Sequence, residues 1–522
     1  MNRFLDQQTK FDMKKSNFYA LNRTFVIAVL MLSSFTFVHA QTFIGGGGDD
    51  LWSNVNNWAD GIKPTEESEN VAIHSDVIVD EDVTIVSLFD AVACDLTIHA
   101  GKKLTAVGEL VWNKGGDFVV EDGAQLITDS QVIGMVEKKI VAYSDEVKMW
   151  DIIASPVIEN VMPSIENGFL TDPASGYALM AFNEQNHSWI DFKESAFAIV
   201  SGKGYLYANA LDTTLLFAGT LKGSGTPVEV NLDYHSSNGT LAGCNLVGNP
   251  LPCDAYPDRS YYLLNDAGTT LLPVMASSAT PVAPCTGMFV KADGIGETVA
   301  FSRIAPQTTH SRGSIEITVV KPNAPDVVLD QIIVSFNEDD NLGKLAYNPD
   351  NPNLYFTEGT RNLAIISVDS TDVVPFRFKA VENGSFMLKV TPRDLDISFL
   401  HLSDNASGAN IDLLDQPEYT FAALTSDYAS RFKLILDPHY GIEEDGPSTG
   451  LGAFAYYANG EIIINDVETC HGASLQIIDM MGRVIMKRDA MNRVSTNGLA
   501  KGVYVLRLNT IHGVRTQKMV IE

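Results

Sequence analysis

The residues Asp95-Leu96-Thr97-Ile98, Gly101 and Leu104 return 22 positions later as Asp117-Phe118-Val119-Val120, Gly123 and Leu126. A short repeat of this kind cannot bury its own apolar face, so it must stack on its neighbour, and a period near 20 residues is that of a coil in a solenoid. Short β-branched runs precede it at Val71-Ala72-Ile73, Val77-Ile78-Val79 and Val83-Thr84-Ile85, broken by Asp, Ser and Asn. The pattern predicts a short β-solenoid over residues 41–145. Trp52 and Trp58 precede the repeat and read as aromatics packed over one end of the stack, with exposed sugar-stacking platforms as the competing reading. The glycines Gly45 to Gly48 have no strand before them and no helix after, which predicts a flexible leader and argues against a nucleotide loop.

The rest of the chain is also strand-like. No apolar stripe at helical spacing extends beyond two turns, and alternation continues in longer segments with Gly-rich turns. Ser195 to Val200, Gly204 to Tyr207, Leu215 to Ala218 and Val228 to Leu232 read as strands, with Gly219 and Gly223 to Gly225 as turns, giving a β-sandwich over 146–310. Ile315 to Val320, Ile332 to Phe336, Leu363 to Val368, Phe386 to Val390, Ile397 to Leu402 and Arg431 to Leu436 predict a second sandwich over 311–440. Gly441 to Gly450 is acidic, Gly/Pro/Ser-rich and aperiodic, so 441–454 reads as a linker. Five brief strands follow in 455–522, about the number for a small Ig-like sandwich. The fold class expected for the whole chain is therefore all-β.

Charge separates the last module from the rest. The chain carries 36 Lys+Arg against 65 Asp+Glu, a net charge of −29, which argues against a nucleic-acid partner. Residues 455–522 hold eight Lys/Arg and six Asp/Glu, so the acidity lies in the preceding segments. At the other end Lys14, Lys15 and Arg23 precede the apolar run Phe25 to Phe37, and small residues stand at the −3 and −1 positions of a cut between Ala40 and Gln41. This order predicts a signal peptide over 1–40. The run is too short for a membrane span, which needs about 20 residues. Five cysteines are few for an exported chain, and Cys253 with Cys285 is the pairing favoured if a bridge forms.

Three blocks of the C-terminal module carry a family resemblance. Ser474 to Arg483, Leu499-Ala500-Lys501-Gly502-Val503-Tyr504-Val505 and Lys518-Met519-Val520-Ile521 resemble, in order, the C-terminal sorting domain of type IX secretion cargo. The resemblance implies a β-sandwich that engages the type IX secretion machinery and directs cargo across the outer membrane of Bacteroidota. It also implies frequent removal of the domain and, for many cargos, attachment to surface lipopolysaccharide. The residues that carry it are Gly482, Arg483, Leu499, Gly502, Tyr504 and Lys518; read as residues alone, Gly482 and Gly502 mark tight turns and Tyr504 a core position. A looser resemblance links Met149 to Pro156 and Cys244 to Pro250 to large cargo of that pathway, and implies architecture only.

Catalytic motifs are sparse. The sequence has no Gly-x-Ser-x-Gly elbow, no His-Glu-x-x-His pair, no phosphate loop and no paired-cysteine zinc spacing. The expected catalytic, cofactor and metal residues are accordingly none. His74 and His99 read as edge residues of the solenoid rather than ligands. Asn337 to Asn341 and Asn348 to Asn353 offer hard oxygens for calcium but lack EF-hand spacing, and read as solvated turns. Two functions remain: a secreted or cell-surface, non-catalytic protein, adhesin-like or structural, with a glycan or protein ligand; or a glycan-binding or glycan-degrading extracellular protein, recognised by two facing carboxylates in a cleft.

Overall fold

The computed structural model describes residues 41–143, 150–172, 176–223, 225, 227–235, 241–306, 313–337, 340–345, 348–368, 373–436, 455–458, 461–464, 474–479, 482–489, 493–510 and 513–521. The expected signal peptide and linker lie outside them. Half the chain is strand, and the helical turns among the described residues are single 3₁₀ turns such as Val55–Asn57.

The 22-residue period is a solenoid coil. Three parallel sheets run along the stack: Thr42–Phe43, Val71–Ile73, Leu88–Asp90 and Leu110–Val111 form one face, and Val83–Ile85, Lys103–Ala106 and Gln125–Thr128 another. Val77–Val79, Leu96–Ile98 and Phe118–Val120 lie on the third. Leu96 pairs with Phe118 and Leu104 with Leu126, the 22-residue offset seen in the sequence. Alternate side chains point into the coil, so Leu96, Ile98, Leu104, Phe118, Val120 and Leu126 are buried together. The repeated aspartates have their own task. The Asp117 amide donates to Asp95 Oδ1 at 2.8 Å, and the Asp95 amide donates to Asp76 Oδ1 at 2.9 Å, so each carboxylate satisfies the backbone of the next coil at its corner.

Residues 41 to 58 cap the first coil. Trp52 and Trp58 are buried edge-to-face, 4.8 Å between ring centroids, and Trp58 Nε1 donates to the Trp52 carbonyl at 3.0 Å. The glycine run is no flexible leader. The Gly47 amide donates to Asn57 Oδ1 at 2.6 Å, and a Cβ on Gly47 would sit 2.4 Å from Asn54 Nδ2, so the backbone approaches these asparagines more closely than any side chain would permit.

The stack continues directly into the next region through the strand Val132–Ile140. It pairs in parallel with Phe118–Val120 of the solenoid and antiparallel, over its whole length, with Thr213–Leu221. One hydrophobic core therefore runs from Phe43 to Leu221. Gly219 lies inside this pairing opposite Gly134, so it is an extended strand residue and not the expected turn. Ser195 to Val200 is likewise not a strand; Ile199 makes a single bridge to Val161. The strand in this part of the chain is instead Ser188–Asp191, a hairpin partner of Ala178–Asn183.

Beyond this, three sheets are layered by strict alternation. In the sheet of Asp151–Ala154, Gly204–Ala208, Ala178–Asn183 and Ser188–Asp191, Ile153, Tyr205 and Tyr207 face the solenoid core, while Ile152 and Leu206 face the next sheet. That sheet holds Cys244–Gly248, Gly287–Lys291, Tyr261–Leu264 and Leu271–Val274. Leu246 and Phe289 meet Ile152 and Leu206; Val247, Met288 and Val290 turn to a further core completed by Val299 and Phe301. The two loosely recognised segments meet here. A Cβ on Gly248 would stand 2.4 Å from Ala154 Cβ, and the buried Asn249 side chain donates to the carbonyls of Cys253 and Val282, which is an architectural use of both.

Residues 314–436 curl one eleven-stranded sheet around a Phe-rich core until its ends approach. Asn353–Glu358, Val373–Lys379 and Glu418–Ala423 are strands here that the sequence reading passed over. Ile333 and Ile365 point outward from this sheet into the core shared with Leu246 and Phe289. The expected Cys253–Cys285 bridge does not form. Cys94, Cys244, Cys253 and Cys285 are all buried thiols, and Cys253 and Cys285 belong to different cores.

Candidate functional site

The C-terminal module is a sandwich of a three-stranded sheet, Ala455–Ala458, Glu461–Ile464 and Arg493–Ser495, and a four-stranded sheet, Val484–Asp489, Ser474–Asp479, Gly502–Thr510 and Gly513–Ile521. Ala455, Ile462 and Val494 from the first face Leu475, Ile477, Leu506, Leu508, Met519 and Ile521 from the second. Gly482 turns the hairpin at φ +78°, its amide donating to the Asp479 carbonyl at 2.9 Å. Arg483 then closes onto Asp479, its amide donating to Oδ1 at 2.9 Å and its Nε to Oδ2 at 2.8 Å. Tyr504 is buried and its hydroxyl donates to the Ala500 carbonyl at 2.8 Å, a tyrosine tied to backbone just upstream as at the corner of an Ig-type sandwich. Leu499 packs on the core beside it, and Lys518 is exposed next to the buried Met519.

Gly502 differs from its expected role. It is the first residue of a strand paired with Ile521, its φ is not positive, and a Cβ there would find only Tyr504 Cε2 at 3.9 Å. Among the described residues of this module, the glycines at positive φ are Gly482 and Gly498, the latter at φ +96°. Ala40 lies outside the described residues; the Gln41 carbonyl accepts from the Ala72 amide at 2.9 Å at the start of the solenoid.

A second site, which the sequence reading missed, is a cleft in the middle region. Two adjoining chambers of about 300 and 490 Å³ share Phe182, Glu184, Lys203, Asp233 and Leu246. The hairpin Ala178–Asn183/Ser188–Asp191 supplies one wall and the strands Val228–Asn231 and Cys244–Gly248 the other. Glu184 anchors it. Its Oε1 accepts the His235 amide at 3.1 Å and the Gly243 amide at 2.8 Å, and its Oε2 bonds His235 Nδ1. Burial alone would raise the Glu184 carboxyl, but these bonds outweigh it and hold the group below the usual carboxylate range. Glu184 is therefore a fixed anion that orients His235, whose ring is half exposed at the mouth. No spacing motif marks this pair, because 51 residues separate its members and only the packing of two sheets joins them.

Other candidates are placed as follows. His74 and His99 are exposed on the solenoid, and His99 Nδ1 stands 3.3 Å from Glu121. Asp340 is buried, its carboxylate accepting Ser335 Oγ at 2.7 Å and Ser277 Oγ at 2.5 Å. The Asn348 side chain accepts the Asp350 amide at 3.0 Å, an Asx-type turn, and Asn351 Nδ2 donates to the Leu329 carbonyl at 2.9 Å. Among the described residues no group of three His, Cys, Asp or Glu side chains is arranged to hold a metal ion.

Comparison with known families matches two segments. Residues 458–522 match a secretion system C-terminal sorting domain. Residues 43–290 match a domain of unknown function, DUF8693, which spans the solenoid and the layered sheets together. No curated protein matches the chain. The sorting domain marks the chain as cargo of type IX secretion, which engages that machinery and is exported to the cell surface or released.

Proposed function

We propose that the exported body is a non-catalytic, adhesin-like surface protein: a rigid all-β scaffold that holds a ligand-binding cleft away from the cell. The observation that carries this reading is the continuity of packing. The strand Val132–Ile140 belongs at once to the solenoid sheet and to the hairpin with Thr213–Leu221. The last coil is closed in the same way, by the Leu126 amide on the Pro252 carbonyl at 2.8 Å and by Gln125 on Asp254 at 2.8 Å. A scaffold joined through shared strands and cores has no hinge there to close over a substrate. The deepest carboxylate of the cleft, Glu184, is held ionised by its protein partners, which suits orientation of a neighbour rather than proton donation.

The test is a parallel screen of the purified full chain for retention and for turnover. Immobilised glycans and extracellular proteins are expected to capture it, and a panel of soluble polysaccharides is expected to be left intact. Release of reducing ends from any polysaccharide would overturn the non-catalytic reading.

A further inference from the structure

The cleft beside Glu184 identifies the chemistry of the ligand, and the inference rests on the binding role proposed above. The chamber of about 300 Å³ is lined by Lys203 and Lys222 together with Glu229 and Asp233, and among the described residues no ion pair joins any of them. The charges thus line one cavity without neutralising one another in contact. Apolar surface completes the cleft, with Phe182 and Leu246 shared by both chambers and Phe197 in the larger one.

We infer that this cleft binds a neutral saccharide. A pyranose offers hydroxyls that donate and accept at once, and carbon faces that lie on aromatic and aliphatic walls. Ammonium donors on Lys203 and Lys222 and carboxylate acceptors on Glu229 and Asp233 match that alternation. The mixed signs disfavour both an anion, which would meet two carboxylates besides the fixed Glu184, and a cation, which would meet two lysines. The combined chambers fall within the range of about 300–1,000 Å³ usual for ligand clefts, enough for a short oligosaccharide. Trp189 lies 5.1 Å from Phe182, edge-on and 41% exposed, and serves as a built-in reporter of occupancy.

The experiment titrates the full chain with chitotriose, mannotriose, cellotriose and lactose, and with trigalacturonate and trilysine as charged controls, by calorimetry and tryptophan fluorescence. At least one neutral sugar is expected to bind and to change the tryptophan emission. The double variant Lys203→Ala/Asp233→Ala is expected to bind it at least tenfold more weakly at an unchanged melting temperature, since both line the two chambers and neither side chain bonds to the protein among the described residues. Trp189→Phe should abolish the emission change while calorimetric binding persists. Absence of binding by every neutral sugar, equal affinity in the double variant, or tighter binding of a charged control would each overturn the inference. Capture of immobilised proteins by a chain that binds no sugar would remove the saccharide site and leave the surface-binding role standing; polysaccharide cleavage would remove that role and leave the titration result intact.

Discussion

Arg431 spends its guanidinium on three acceptor oxygens. Nε donates to Asp404 Oδ1 at 2.7 Å, Nη2 to Asp404 Oδ2 at 2.8 Å and Nη1 to the Ala422 carbonyl at 2.7 Å, while its plane lies over the Phe421 and Phe432 rings. Tyr419 and Ser407 add hydroxyl bonds to Asp404. These residues sit on Leu400–Asp404, Glu418–Ala423 and the approach to Phe432–Leu436, so a single fork bonds an edge strand of the eleven-stranded sheet to strands near its other end. Burial would raise the Asp404 carboxyl, but the bonds from Arg431, Ser407, Ala406 and Tyr419 outweigh it and hold the group well below the ordinary carboxylate range. A depressed folded pKa contributes stability that is complete above the unfolded value near 3.9 and lost as pH falls toward the folded value. Arg431→Met should cost about 3–5 kcal/mol at neutral pH by stranding a buried carboxylate. It should also flatten the loss of stability below about pH 4, both measured from urea midpoints across pH. A cost below 1 kcal/mol, or an unchanged acid limb, would remove the latch from the account of this sheet.

At the scale of elements, the strand Val132–Ile140 decides whether the solenoid and the layered sheets unfold together. Gly134 is the tight point. It faces Gly219 in the ladder, and a Cβ there would lie 2.7 Å from the Phe118 carbonyl oxygen and 3.2 Å from Leu221 Cδ1. Backbone cannot yield as a flexible side chain can, so Gly134→Val should cost about 1–3 kcal/mol. The strain should appear on both partners of the strand. Amide hydrogen exchange is expected to quicken in Phe118–Val120 and in Thr213–Leu221 together, with a lower denaturation midpoint. Exchange confined to one of them would mean that the strand does not couple the two regions. The sequence carries no sign of this role, because the close approach to Gly134 comes from two separate partners, the Phe118 carbonyl on one side and Leu221 on the other, and only the stacking of their strands brings both against it.

For the whole molecule, the described C-terminal module has a core of its own, made of residues between Ala455 and Ile521, and no residue of it belongs to the other cores. Deleting 455–522 should therefore change location and leave stability alone. Cell fractionation is expected to find the truncated chain retained inside the outer membrane, with the thermal unfolding temperature of the full-length body. Truncated protein at the surface in normal amounts would sink the tail's export role, and a lowered melting temperature would sink its independence. By itself the sequence determined what depends on neighbours along the chain: the all-β character, the coil period that sets register through Leu96 on Phe118 and Leu104 on Leu126, the hairpin glycine Gly482, and the ordered blocks of the sorting module. Alternation and turn chemistry are local, so they are legible from short windows. Tertiary structure alone decided that Gly502 is strand rather than turn, that Cys253 and Cys285 lie in separate cores, and that Glu184 meets His235 across a cleft. Each of these is set by which sheets stack on which, and sheet stacking depends on the shape and area of whole faces, a property that no single stretch of sequence carries.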